Sequence, residues 1–396
     1  MARPGIKLVK GAPRMIVFIS ESVNPMHNCN ILIGMSQYTH MHTNYTVRFI
    51  EFGDIDKENM FDNCDGIVIL TVKKPILDKV AGLGVPVVNL CGNSDSKAPD
   101  ARIIGVLKND RKIGTIAAEW FLRRGFKNFA YCGVHNFEIT DPAEETFSKA
   151  VAKAGFKCDI YDEKALTGAT SLDDHVQNLF NGLKVWIPTL PPRTAVLCMH
   201  DRRASLFMNV CRQVGRSIPD DIAVMGANND ITLCSCAPVP ITSIDTNPQR
   251  IGYAAMRILA TAIERPCATK LRRDFQINPR SVVERDSTKT YPVDPPWLAD
   301  VLLLLDENID KPIQLEDLAE AAGVSQSTLQ VAIHKTFGMS ANKYILSVKM
   351  RKAKHLVETG RYSVKEIAAK TGLSTSYFTR TYRAHFGCPP SAGRVD

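Results

Sequence analysis

Near its carboxyl end the chain repeats itself. LEDLAEAAGVSQSTLQVAIHKTFG at 315–338 superposes on VKEIAAKTGLSTSYFTRTYRAHFG at 364–387, a period of 49 residues. Leu318 pairs with Ile367, Ala319 with Ala368, Gly323 with Gly372, Ser325 with Ser374, Leu329 with Phe378 and Gly338 with Gly387. Each copy reads as a short helix stopped at a glycine, where a left-handed backbone costs least. A serine follows, suited to cap a second helix. The alanine four residues before the glycine lets the two helices approach closely. The repeat therefore confines this end of the chain to two helix-turn-helix units, near 315–337 and 364–386. Residues 340–358 between them carry helical periodicity, with Tyr344, Ile345, Val348, Ala353 and Leu356 expected inward and the lysines outward.

Charge gives the repeat a partner. Residues 337–396 hold eleven Lys/Arg and three acids, an excess of eight that equals the net charge of the whole chain. Such a basic end favours a polyanion, and two such motifs on a rigid connector suit double-stranded DNA. The expected base-facing side chains are Gln326, Ser327, Gln330 and His334 in the first copy. In the second they are Thr375, Ser376, Thr379, Arg380 and Arg383. Residues 297–336 contain two basic and seven acidic residues, so the second copy is expected to supply more phosphate affinity and the first more sequence reading.

From about residue 14 to 288 the pattern changes. MIVFIS, VRFIEF, GIVIL, VPVVNL, FAYCGV, AVLCMH and IAVMGAN are short apolar runs that read as buried strands. Amphipathic stretches such as 110–124 and 201–214 lie between them. This alternation indicates parallel sheets covered by helices, and its length suits two sheets facing across a cleft. DSTKTYPVDPPW at 286–297 concentrates proline and polar residues and reads as a linker. The expected organisation is an α/β domain over 14–288, a linker over 289–296 and an all-α tandem helix-turn-helix domain over 297–394.

Several function classes are disfavoured. The longest apolar run, near 301–305, is too short to span a bilayer. Residues 1–14 are basic without the apolar core of a signal peptide, and the eleven cysteines form no CxxC pair; a cytoplasmic location with reduced thiols is expected. No catalytic residue, metal site or cofactor is expected. Gly82-x-Gly84 precedes a strand, the reverse of a dinucleotide loop. Ser340-x-x-Lys343 opens a helix, where Ser340 is a cap. His40-x-His42 lacks a third ligand, Cys234-x-Cys236 lies in an apolar stretch, and Trp120 reads as core.

The tandem motif, with its closing Phe386-Gly387-Cys388-Pro389, resembles the DNA-binding domain of the AraC/XylS family over 297–394. In the body, SIPDDIAVMGANND at 217–230, PITSIDTNPQRIGYAAMRIL at 240–259 and NPRSVVERDST at 278–288 resemble the LacI/GalR effector domain. So do KNDRKIGTIAAEWFLRRGFKNFAYCG at 108–133 and AVLCMHD at 195–201. That resemblance implies a two-lobed periplasmic-binding-protein-like fold closing on a small molecule. The order of sensor and reader is similar to that of xylose-responsive regulators. It implies a transcription factor, often an activator that works with RNA polymerase, acting as a homodimer on a direct-repeat operator and controlled by a sugar such as a pentose.

The positions matching the family's effector anchors are Asn24, Asn109, Asp201 and Asn228. Asparagine stands at 109 and 228 where the family has aspartate, and Ala143 stands where it has arginine. Neutral amides bond hydroxyls more weakly than carboxylates do. Two readings follow: a sugar-sensing regulator, or a regulator whose α/β body takes a different effector or is only a dimerisation scaffold.

Overall fold

The computed structural model describes residues 13–20, 25–42, 44–71, 73–91, 103–133, 141–161, 172–265, 274–311 and 313–393. The chain forms two compact units. One comprises residues up to Asn109 with Asp230–Thr232 and Thr246–Pro279; the other comprises Asp110–Asn229, Leu233–Asp245 and everything from Arg280 onward.

The first unit begins with β1 (Arg14–Ser20), α1 (Pro25–Met41), β2 (Tyr45–Glu51), β3 (Cys64–Leu70), α2 (Lys74–Ala81), β4 (Val87–Asn89) and β5 (Ile103–Lys108). The second unit follows with α3 (Asp110–Arg123), β6 (Asn128–Cys132), α4 (Pro142–Lys153), β7 (Cys158–Ile160), α5 (Leu172–Trp186), β8 (Thr194–Cys198), α6 (Asp201–Gln213) and β9 (Ile222–Ala227). Helix α7 (Ile231–Cys236) leads to β10 (Thr242–Ile244). Then α8 (Pro248–Glu264) and β11 (Phe275–Ile277) complete the first unit, and β12 (Val282–Val283) the second sheet. Six helices end the chain: α9 (Pro296–Glu307), α10 (Leu315–Ala321), α11 (Gln326–Phe337), α12 (Ala341–Glu358), α13 (Val364–Lys370) and α14 (Thr375–Phe386).

Each unit holds one six-stranded sheet. The first runs β11-β5-β4-β3-β1-β2, all parallel; the second runs β12-β10-β9-β8-β6-β7, with only β12 antiparallel. Parallel strands buried on both faces explain why the sequence shows continuous apolar runs rather than alternation. In β1, Ile16 and Phe18 pack against Ile31, Met35, Ile251 and Leu259 on one face, while Val17 and Ile19 meet Leu77 and Val80 on the other. In the second sheet, Val196 and Cys198 face Leu183 and Phe207, while Ala195 and Leu197 face Ile113, Phe121 and Phe147. Each fully buried large side chain of this kind contributes about 1.5–3 kcal/mol.

The segment expected to be a linker is packed. Ser287 and Thr288 are buried, and the Ser287 hydroxyl donates to the Val224 carbonyl of β9. Tyr291 and Val293 enter the core of the helical module beside Leu298, Leu302, Leu305 and Tyr344. No helix among the described residues is long and apolar enough to cross a membrane.

Candidate functional site

The two copies of the repeat fold alike. In the first, α10 reaches its turn at Gly323 (φ 64°), Ser325 caps α11 by accepting from the Thr328 amide, and Gly338 (φ 68°) ends it. In the second, α13 reaches its turn at Gly372 (φ 61°), Ser374 precedes α14, and Gly387 (φ 76°) ends it. These left-handed positions favour glycine for want of a Cβ. At Gly372 space forbids a side chain as well, since a Cβ would lie 2.7 Å from the Lys311 carbonyl oxygen. Ala319 and Ala368, four residues before each turn glycine, are buried.

Buried Leu329, Ala332 and Ile333 anchor α11; buried Phe378 and Tyr382 anchor α14. The opposite faces carry the base-facing residues read from the sequence. Gln326, Ser327, Gln330 and His334 are exposed, as are Thr375, Ser376, Arg380 and Arg383, while Thr379 is half-buried and turns its hydroxyl to the Thr375 carbonyl. Two large apolar or aromatic side chains on these helices are exposed as well. They are Val331, which is 67% exposed, and Tyr377, over whose ring the Arg380 guanidinium sits 5.6 Å from the centroid.

Helix α12 joins the copies. Tyr344, Ile345, Val348 and Ala353 are buried as the periodicity predicts, and Leu356 is half-buried. Lys349 departs from the expectation that the lysines stay outside. It is buried, and its Nζ donates to the Lys311 carbonyl at 3.3 Å, because the aliphatic stem follows the α12 core face while the ammonium reaches a backbone oxygen. Burial lowers its pKa.

In the α/β units the informative region is the carboxyl edge of each sheet. Both strand orders reverse, between β1 and β3 in the first sheet and between β6 and β8 in the second. Open parallel sheets bind ligands outside the carboxyl ends of the strands at such reversals. In the first sheet Ser20 ends β1 opposite Leu70 of β3. Its hydroxyl is fully buried and has no hydrogen-bond partner. Nearby, at the start of α1, His27 Nδ1 is likewise buried without a partner. Burial foremost, and then the charge of Lys108, lowers the His27 pKa to about 4, so the ring is neutral at pH 7. Just after β3 and at the end of β4, the Asn89 side chain donates to the Thr71 carbonyl at 3.0 Å and accepts from the Cys91 amide at 3.1 Å. Asn109, directly after β5, donates its side-chain amide to Asn278 Oδ1 at 2.9 Å. Asn24 lies outside the described residues.

In the second sheet, Asp201 opens α6 beyond β8 and is 1% exposed. It accepts from the Ser243 hydroxyl at 2.5 Å and packs against Gly226, where a Cβ would stand 2.2 Å from its carboxylate. Asn228 follows β9 with φ 103° and is 9% exposed; Asn229 follows with φ 52°. Asparagine enters this region more readily than other side chains. Ala143 is buried at the start of α4, two residues after Asp141, which caps the helix and accepts from Tyr131 at 2.5 Å. A buried arginine does occur in this lobe, at Arg203 in the first turn of α6.

Ser20, His27 and Arg203 escaped the sequence reading, because only the sheet order brings Ser20 to a reversal and only burial distinguishes His27 from a surface histidine. Elsewhere, Cys234 is buried and Cys236 exposed, and no group of three or more potential metal ligands occurs among the described residues. Trp120 is half-buried and faces the Arg124 guanidinium, 4.7 Å from its ring centroid.

Comparison with known proteins agrees with this architecture. Residues 118–288 match the periplasmic binding protein-like domain family, and residues 318–394 match a helix-turn-helix domain family. The chain is 24% identical to the xylose operon regulatory protein of Escherichia coli K12 over 335 residues, 83% of each protein. A 96-residue stretch, 24% of this chain, is 32% identical to the HTH-type transcriptional regulator GbdR of Pseudomonas aeruginosa, covering 26% of that protein. Among solved structures, the xylose-binding transcription activator xylR superposes with a TM-score of 0.58 at 20% identity, covering 96% of this chain and 97% of that one. The chain thus joins a periplasmic-binding-protein-like α/β domain to an AraC-type helix-turn-helix domain.

Proposed function

We propose that this protein is a cytoplasmic transcriptional regulator of sugar metabolism genes, reading double-stranded DNA with α11 and α14 and sensing a small hydroxylated molecule with its α/β domain. The observation that carries the reading is the pair of twelve-residue helices, each directly after a serine and with equivalent outward faces, Ser327 and His334 in one and Ser376 and Arg383 in the other, on a chain whose basic excess lies in the same module. The relatives named as xylose operon regulators supply the sugar class. Activation through RNA polymerase, by a homodimer on two direct-repeat half-sites, is the mode we assign to it. It performs no catalysis in this reading.

The effector anchors we propose are Asn24 and Asn109 in one lobe and Asp201 and Asn228 in the other. Ser20 and His27 offer polar atoms that burial has stripped of water, and a ligand hydroxyl would satisfy them. Arg203 supplies a buried cation in a lobe where Ala143 cannot. An effector shifts the balance of conformations only by its differential affinity for them, so binding must alter how the helical module engages DNA.

The test is thermal unfolding with pentoses, hexoses and sugar acids, alongside DNA binding with and without each. A ligand at a hundred times its dissociation constant stabilises by about 2.7 kcal/mol. A sugar that raises the midpoint and changes DNA affinity supports the reading. Intact DNA binding that no sugar alters, with no thermal shift, would leave the α/β domain as a scaffold.

A further inference from the structure

Helices α11 and α14 are both twelve residues long and begin one residue after a serine. Successive residues turn by about 100°, so the buried Leu329, Ala332 and Ile333 place the middle of the outward face of α11 at Ser327, Val331 and His334. The positions 49 residues on, in α14, are Ser376, Arg380 and Arg383, with Arg380 directly opposite the buried Phe378 and Tyr382. Serine matches serine, and His334 matches Arg383. At the central position the copies differ in kind, valine against arginine. A lone exposed apolar side chain is ordinary on any surface. Val331 is set apart by its place, 67% exposed at the centre of a face whose neighbours Ser327, Gln330 and His334 are all polar.

Base edges in the major groove offer one apolar group, the thymine 5-methyl, and arginine pairs best with guanine O6 and N7. We infer that Val331 reads a thymine methyl in the half-site of the first copy, where Arg380 reads a guanine at the equivalent place in the half-site of the second. The two half-sites bound by one chain therefore differ in sequence at that place. This rests on the DNA-binding reading above.

The experiment selects duplexes from a random library with the full chain. It then measures affinity for the selected duplex with each thymine in turn replaced by deoxyuridine, which removes only the methyl. One replacement should weaken binding about fourfold, the worth of one buried methyl, and the same replacement should have no effect on Val331→Ala. Selection with Val331→Arg should replace that thymine by guanine. Since Val331 is exposed, both variants should unfold at the wild-type temperature. Bound DNA with no thymine whose methyl couples to Val331 would overturn the inference and leave DNA binding standing. Failure to enrich any duplex would overturn both.

Discussion

The two helix-turn-helix copies share a grammar but not a foundation. The first is built into a large apolar core that takes in Tyr291 and Val293 from the connecting segment, Leu298, Val301, Leu302 and Leu305 from α9, and Tyr344, Ile345 and Val348 from the front half of α12. The second rests on a smaller core of its own: Met350, Ala353 and Val357 from the back half of α12 with Ile367, Ala368, Phe378 and Tyr382. One helix thus serves two cores. The first copy is continuous with the packing that joins the module to the α/β lobe, while the second is held chiefly by α12. The comparison teaches that equal motifs in sequence need not be equally stable or equally placed to report on the lobe.

The sharpest way to break the comparison is Phe378→Ala. Emptying the centre of the small core should cost about 3–5 kcal/mol. Hydrogen exchange should show α13 and α14 losing protection while α10 and α11 keep theirs. Uniform loss across both copies would mean a single cooperative unit.

The complementary change is Arg124→Ala. Arg124, directly after α3, is 5% exposed and lies between the rings of Trp120 and Tyr291. It pairs with Glu284 and with Asp306 of α9 at 3.2 Å, and Asp306 also accepts from the Tyr291 hydroxyl at 2.7 Å. Burial opposes the charge on Arg124, but Tyr291, Glu284 and Asp306 outweigh it and raise its pKa. Truncation leaves two carboxylates facing each other, at a cost of about 3 kcal/mol. Urea denaturation should show it, with α9 and the first copy losing protection before the second.

On DNA, Arg380→Ala should lose about 1–3 kcal/mol of binding, and Gln330→Ala less. Equal losses would remove the division of labour between the copies. Smaller still is Ser363→Ala. In the second copy Ser363 accepts from the Glu366 amide while Glu366 accepts from the Ser363 amide at 2.7 Å, and losing that cap should cost about 1 kcal/mol.

The smallest effect is in pH. His355 on α12 bonds Ser281 of the lobe at 2.6 Å, and its pKa is lowered, by burial first and then by Arg280, against the pull of Asp245. Its folded pKa lies below the unfolded value of about 6.5, so the stability it permits is complete above that pH and falls as pH drops below it. Glu358, raised by burial, acts in the opposite sense, its contribution falling as pH rises above the unfolded carboxylate value. Between about pH 5 and 7, the denaturation midpoint of His355→Asn should fall less than that of the wild type.

Much of this molecule was legible in its sequence where structure is local. The runs at 15–20, 66–70, 195–200 and 222–228 became β1, β3, β8 and β9, and the glycine–serine turns and the two recognition helices stand where the repeat places them. What escaped depends on distant partners. Strands β10, β11 and β12 are two or three residues long and exist through neighbours such as β9 and β5, so no periodicity announces them. Lys349 reads as a surface lysine until the Lys311 carbonyl is placed beside it. The connecting segment reads as free because proline and polar residues usually are, whereas here Tyr291 finds an arginine far back in the chain. Of the candidate effector residues, the sequence supplies types and strand ends but not Ser20 or His27.

The Arg124 cluster also bears on how far a signal travels intact. A tether of eight disordered residues would let the helical module tumble, and most of any motion in the lobe would be lost in it. With a guanidinium riveted between two rings and two carboxylates, the connector transmits rotation as a welded bracket does. A tilt of α3 then carries α9 and the first copy with it instead of being absorbed on the way.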